Sequence, residues 1–213
     1  MNIEKFSKYF NGDYDNTVIS KLSISDGNVI VADPFGLYAD FPPYTQKVPI
    51  GEFNVTACIV GKESDTRIAA VNVQFVDCQP ARFEMALDGS ESKEDIAALA
   101  EGEFFGFFVD AGLAAILDTA SLKAYLDFES EWCNNNPDKN IYDDFLGKLF
   151  AKSYSNAPTF QRSCGDYIDF IIPGTYYHIP IFSSRYGDGV YPVYFGYSKE
   201  NSICSMSILF IDV

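Results

Sequence analysis

One-by-one alternation of apolar and polar side chains is the feature that most constrains this chain. Such a period places successive side chains on opposite faces of an extended segment, so it selects strands with one buried face over helices. Val71, Val73 and Phe75 alternate with Asn72 and Gln74, and Phe83, Met85 and Leu87 alternate with Arg82, Glu84 and Ala86. Gln79-Pro80 separates these two predicted strands. Asn28 to Ala32 is another such run, and Phe104 to Val109 and Leu113 to Leu117 read as a hairpin closed by Asp110-Ala-Gly112, whose glycine can take positive φ. Near the carboxy terminus, Tyr191, Val193 and Phe195 share one face, as do Cys204, Met206, Ile208 and Phe210, with a turn at Ser198 to Asn201.

Three helices interrupt the alternation. Ser92-Lys-Glu-Asp95 has the spacing of a capping box and opens a helix over 93–101. A second covers 119–133, capped by Asp118 or Thr119. The third, over 140–153, carries Tyr142, Phe145, Leu146, Leu149 and Phe150 on one stripe. The last two are apolar on one side only, so they should pack against a sheet. No repeat or long linker divides the chain. The reading is therefore one α+β domain over 1–213, a mainly antiparallel twisted sheet with about three helices packed on it, residues 1–25 being a lead-in to 26–213.

Composition narrows the function classes. Thirty acidic side chains against 15 basic ones give a net charge of −15, which repels phosphate backbones, so no nucleic-acid partner is expected. The charged amino-terminal segment Met1 to Phe10 lacks a signal-peptide core, and no segment reaches the roughly 20 apolar residues of a membrane span, so a cytoplasmic protein with no membrane partner is expected. Five widely spaced cysteines (Cys58, Cys78, Cys133, Cys164, Cys204) suit unpaired thiols in a reducing compartment. With one histidine, His178, and no C-x-x-C pair, neither a zinc site nor a nucleophilic triad is expected, and no cofactor is implied. Asn11 to Asn16 lacks the sixth-position glycine and twelfth-position glutamate of a calcium loop.

The order of several motifs resembles the bacterial family called domain of unknown function 4241: Asp26-Gly-Asn-Val-Ile-Val-Ala-Asp33-Pro34, Val48-Pro-Ile-Gly51-Glu-Phe-Asn-Val55, Arg67-Ile-Ala-Ala-Val-Asn-Val73, Phe83-Glu-Met-Ala-Leu87, Phe108-Val-Asp110-Ala-Gly112 with Asp118, and Gly187 to Tyr197. Leu113 and Phe83 depart from that pattern, standing where the family has a small polar residue and a tryptophan. The resemblance implies no activity. Its association with secreted-toxin genes implies an immunity role.

Two sets of residues are candidates for function. Asp33, Asp110 and Asp118, with Asp188, fall at predicted strand ends; if they converge, their oxygens suit a hard cation and Arg67 an anionic substrate, the makings of an enzyme. Each also has a purely structural reading: turn formation for Asp33 and Asp110, a helix cap for Asp118, a hairpin turn at Gly187-Asp188-Gly189. The second set is a surface. Between Glu84 and Glu103 lie seven acids, among them Glu91, Glu94, Asp95 and Glu101, and one base, Lys93. Such a segment steers a basic protein partner. Tyr186, Tyr191, Tyr194 and Tyr197 would add aromatic contact area. The expectation is a non-catalytic module that binds a basic partner, a cognate toxin; the alternative is an enzyme built on the Asp/Arg set.

Overall fold

The computed structural model describes residues 3–61, 65–184 and 186–213. Its elements, in chain order, are α1 (Ile3–Phe10), β1 (Asp15–Ile24), β2 (Ile30–Ala32), β3 (Gly51–Val60), β4 (Arg67–Gln74), β5 (Arg82–Met85), α2 (Lys93–Ala98), β6 (Phe107–Val109), β7 (Leu113–Leu117), α3 (Thr119–Asn135), a π-helical turn (Ile141–Leu146) running into α4 (Gly147–Asn156), β8 (Tyr167–Ile171), β9 (His178–Ser183), β10 (Gly189–Tyr191), β11 (Val193–Tyr197) and β12 (Ile203–Leu209). The strands form a six-stranded sheet ordered β1-β3-β4-β12-β11-β5, a four-stranded sheet ordered β2-β7-β9-β8, and a two-stranded ribbon of β6 and β10. All pairings are antiparallel, as the alternation predicts.

Period-two patterning explains how the layers stack. In β7, Ala114 and Ile116 face the six-stranded sheet and join Val55, Val71, Val73, Phe195 and Met206 in the central core. Leu113, Ala115 and Leu117 point the other way, under Leu122 and Tyr125 of α3 and Phe150 of α4. The outer face of the large sheet is covered in turn by α1, whose Phe6 and Tyr9 pack on Cys58, Ala70 and Tyr194. The central strands of both sheets are thus covered on both faces, and all five residues of β7 and of β11 are buried, while β1, β3 and β8 keep exposed positions. Leu113 is a core residue at 4% exposure, and Phe83 stacks on Phe6 with ring centroids 3.8 Å apart.

Several local expectations are corrected. Phe107–Val109 and Leu113–Leu117 are strands but not a hairpin: β6 pairs with β10, while β7 pairs with β2 and β9. Gly112 does take positive φ (69°), and the bend it makes passes the chain from the ribbon to the four-stranded sheet. Gly187-Asp188-Gly189 likewise links β9 to β10, members of different sheets, and closes no hairpin. Pro192 divides Tyr191 from Val193, so these belong to the ribbon and to the large sheet. The β11–β12 hairpin is as expected, Asn201 supplying the one positive φ outside glycine among the described residues. The helix predicted over 93–101 ends at Ala98, and the third is π-helical for its first turns. Helix α1 and strands β1, β3, β8 and β9 were not singled out by the alternation, and β1 makes residues 15–24 an integral edge of the large sheet.

Candidate functional site

The four candidate aspartates are positioned by their own loops. Asp33 follows β2, is 5% exposed, and has both carboxylate oxygens engaged: Oδ1 accepts from the Phe35 amide (2.9 Å), and Oδ2 from the amides of Asp110 (2.8 Å) and Ala111 (2.6 Å). It ties the end of β2 to the bend after β6. Asp118 is fully buried at the amino terminus of α3, where Oδ1 accepts from the Ser121 amide (2.7 Å) and Oδ2 from the amide and hydroxyl of Ser25 (2.6 Å each). That is the expected helix cap, completed by Ser121 Oγ accepting from the Asp118 amide. Asp188 is exposed in the β9–β10 connection. Arg67 is ion-paired to Asp65 at 2.7 Å and lies over the Tyr186 ring, 5.1 Å from its centroid.

The set therefore does not converge. Asp33 and Asp110 share one cavity, while Asp118 and Arg67 lie outside it. Among the described residues no three His, Cys, Asp or Glu side chains gather closely enough to hold a metal ion.

The shared cavity has a volume of about 470 Å³, in the size range of ligand sites. It opens where the loop after β2, the segment after β5 and the β6 strand meet. Its walls include the rings of Phe35, Phe41, Tyr44, Phe107 and Phe108, and its carboxylates are Asp33, Asp88, Glu91 and Asp110, with no basic side chain among the lining residues. Glu91 accepts from the Gly89 amide (3.0 Å) and Asp88 from the Ser90 amide (2.8 Å), which fixes both on a tight turn. The Asp110 side chain has no hydrogen bond or ion pair among the described residues. Burial, reinforced by Asp88 and Glu91, pushes the Tyr44 hydroxyl above the usual tyrosine range.

The acidic segment is a surface feature. Ser92 and Asp95 form the anticipated capping box of α2, the Asp95 amide donating to Ser92 Oγ at 3.0 Å. None of the six residues of α2 is buried, and Glu94 and Glu101 are exposed. Of the four candidate tyrosines, Tyr186, Tyr191, Tyr194 and Tyr197, only Tyr186 is on the surface, at 66% exposure. The other three are corrected to core positions. Tyr191 packs on Phe210 and donates its hydroxyl to the Gly187 carbonyl (2.8 Å). Tyr194 meets Phe6 edge-on, and Tyr197 lies beneath the Arg82 guanidinium, 4.3 Å away. For Tyr194 and Tyr197 burial follows from coverage of both faces of β11, which has no solvent face, whereas Tyr191, in the ribbon, is buried against Phe107 and Phe210. The aromatic and acidic cavity was missed as a unit, because Phe35, Tyr44, Glu91 and Phe108 belong to four separated stretches of sequence.

A family model described as "Protein of unknown function (DUF4241)" matches residues 22–208, and the chain belongs to that family. No curated protein and no solved structure matches it.

Proposed function

We propose that this family member is a non-catalytic cytoplasmic protein-binding module that recognises a basic protein, an immunity protein neutralising a toxin domain by direct binding. The carrying observation is α2 and its flanks. A six-residue helix with no buried side chain contributes nothing to the core, yet it holds Glu94 and Asp95 in its first turn and leaves Ile96 39% exposed, with Phe104 nearby in sequence at 37%. An exposed apolar residue that follows acidic neighbours in sequence suits a surface that meets a partner of opposite charge. The alternative, a metal-dependent or small-molecule enzyme, draws on the cavity shared by Asp33 and Asp110. Its other members serve elsewhere: Asp118 caps a helix and Arg67 is paired with Asp65.

The test uses the product of a neighbouring toxin-like gene. Changing Glu91, Glu94, Asp95 and Glu101 to the corresponding amides should slow association several-fold at low salt and matter little above roughly 0.5 M, where screening acts over a few ångströms. Dissociation should be nearly unchanged. Absence of binding by the unmodified protein overturns the reading.

A further inference from the structure

We infer that the cavity between Phe35, Tyr44 and Phe108 receives an arginine side chain of the basic partner, the guanidinium lying against the aromatic walls and pairing with the carboxylates at its mouth. This rests on the protein-binding reading and names what that surface holds.

Three observations carry it. No basic side chain balances the cavity: four carboxylates line it and no Lys, Arg or His does, and although Asp33, Asp88 and Glu91 accept from backbone amides, the Asp110 carboxylate has no partner among the described residues. A cation entering it meets no competitor, and a low-dielectric aromatic wall strengthens each attraction. Second, the acids do not gather at one point. The lack of a three-ligand cluster among the described residues disfavours a metal ion, whereas a broad, planar, delocalised cation reaches separated carboxylates while stacking on rings. A compact ammonium would reach fewer of them. Third, the cavity continues into an exposed apolar patch. Phe108 and Val190 face each other across the β6–β10 ribbon at 63% and 50% exposure, because Phe107 and Val109 take the inward positions of the same strand. Phe108 belongs to both features, so a partner covering the ribbon would bring a projecting side chain to the cavity mouth.

Asp110 is the residue that isolates the claim. It is exposed and its carboxylate makes no internal bond among the described residues, so Asp110→Asn should leave folding unchanged. Phe108→Ala removes a wall that is mostly outside the core.

The 213-residue protein is titrated with N-acetyl-arginine methylamide, with the neutral citrulline analogue and with the lysine analogue, following backbone amide shifts by NMR. Millimolar binding of the arginine compound is expected, with shifts at Gly106, Phe108, Asp110 and Ala111. Asp110→Asn and Phe108→Ala should each weaken it about three-fold, in line with about 0.5–1 kcal/mol for an exposed ion pair or a cation–π contact. The lysine analogue should bind more weakly and the citrulline analogue not measurably. Equal binding of citrulline or lysine, shifts elsewhere only, or two variants that bind like the original protein overturn the inference. Because no partner is needed, the two readings fail separately. An unbound arginine probe beside salt-sensitive toxin binding removes only the cavity assignment, and a bound probe beside no toxin binding removes only the immunity reading.

Discussion

Asp118 is the candidate residue whose structural and chemical roles make the most divergent predictions. Its carboxylate takes three donated hydrogen bonds, one from Ser121 within the α3 cap and two from Ser25, 93 residues earlier in the chain. In Asp118→Asn one oxygen becomes a donor. The lower-cost orientation keeps the carbonyl on the buried Ser121 amide and turns the NH₂ towards Ser25, whose hydroxyl can rotate to accept while its amide cannot. Ser25 is solvent-exposed, so water can take that amide and the full burial penalty does not apply. What remains is the loss of charge-assisted bonding, each such bond contributing about 1.5–3 kcal/mol against about 0.5–1.5 for a neutral one. The expected destabilisation is about 2 kcal/mol, a fall in Tm of roughly 4–8 °C for a domain of this size. Urea unfolding should show a lower midpoint at constant slope. Ser25→Ala should cost about 1 kcal/mol, and the double variant should fall short of the sum by about 0.5 kcal/mol or more, since both changes remove the same bond. A change in Asp118→Asn below about 0.5 kcal/mol would refute the cap argument and return weight to a chemical role.

Two further outcomes follow from burial. Thiol titration of the unfolded protein without reductant should count five. In the folded protein the exposed Cys133 and Cys164 should react first, and Cys58 and Cys204 last, because burial pushes both thiols up to about 12; a count of three, or rapid labelling of Cys58, contradicts this. Alkaline pH should destabilise the fold. Burial, helped by Asp212, pushes the Tyr194 hydroxyl up to about 12 from an ordinary 10.0, and raises Tyr9 for the same reasons. The unfolded chain therefore loses its phenolic protons first, so this stabilisation is complete below pH 10 and declines as pH rises towards 12. A urea midpoint that stays flat across that window would count against it, and Tyr194→Phe should lessen the decline.

Side-chain period and local capping chemistry were readable from the sequence alone. Alternation in Val71 to Phe75 and Cys204 to Phe210 marks strands because it reports only on the residue's own neighbours, and Ser92/Asp95 and the Asp118 cap are likewise contacts within one turn. The same locality explains the misreadings. Gly112 and the glycines at 187 and 189 announce a bend, but which strand lies beyond it depends on pairing free energies summed over the whole sheet, so apparent hairpins became transfers between sheets. Tyr194 and Tyr197 look amphipathic until α1 and the second sheet close over both faces. Only tertiary packing could bring the amides of Asp110 and Ala111 onto Asp33, 77 and 78 residues away, and set the rings of Phe35 and Phe108 around one acidic cavity. Contacts at that separation carry a loop-closure cost that no local pattern encodes, and they form because the layers around them bury enough apolar surface to hold them.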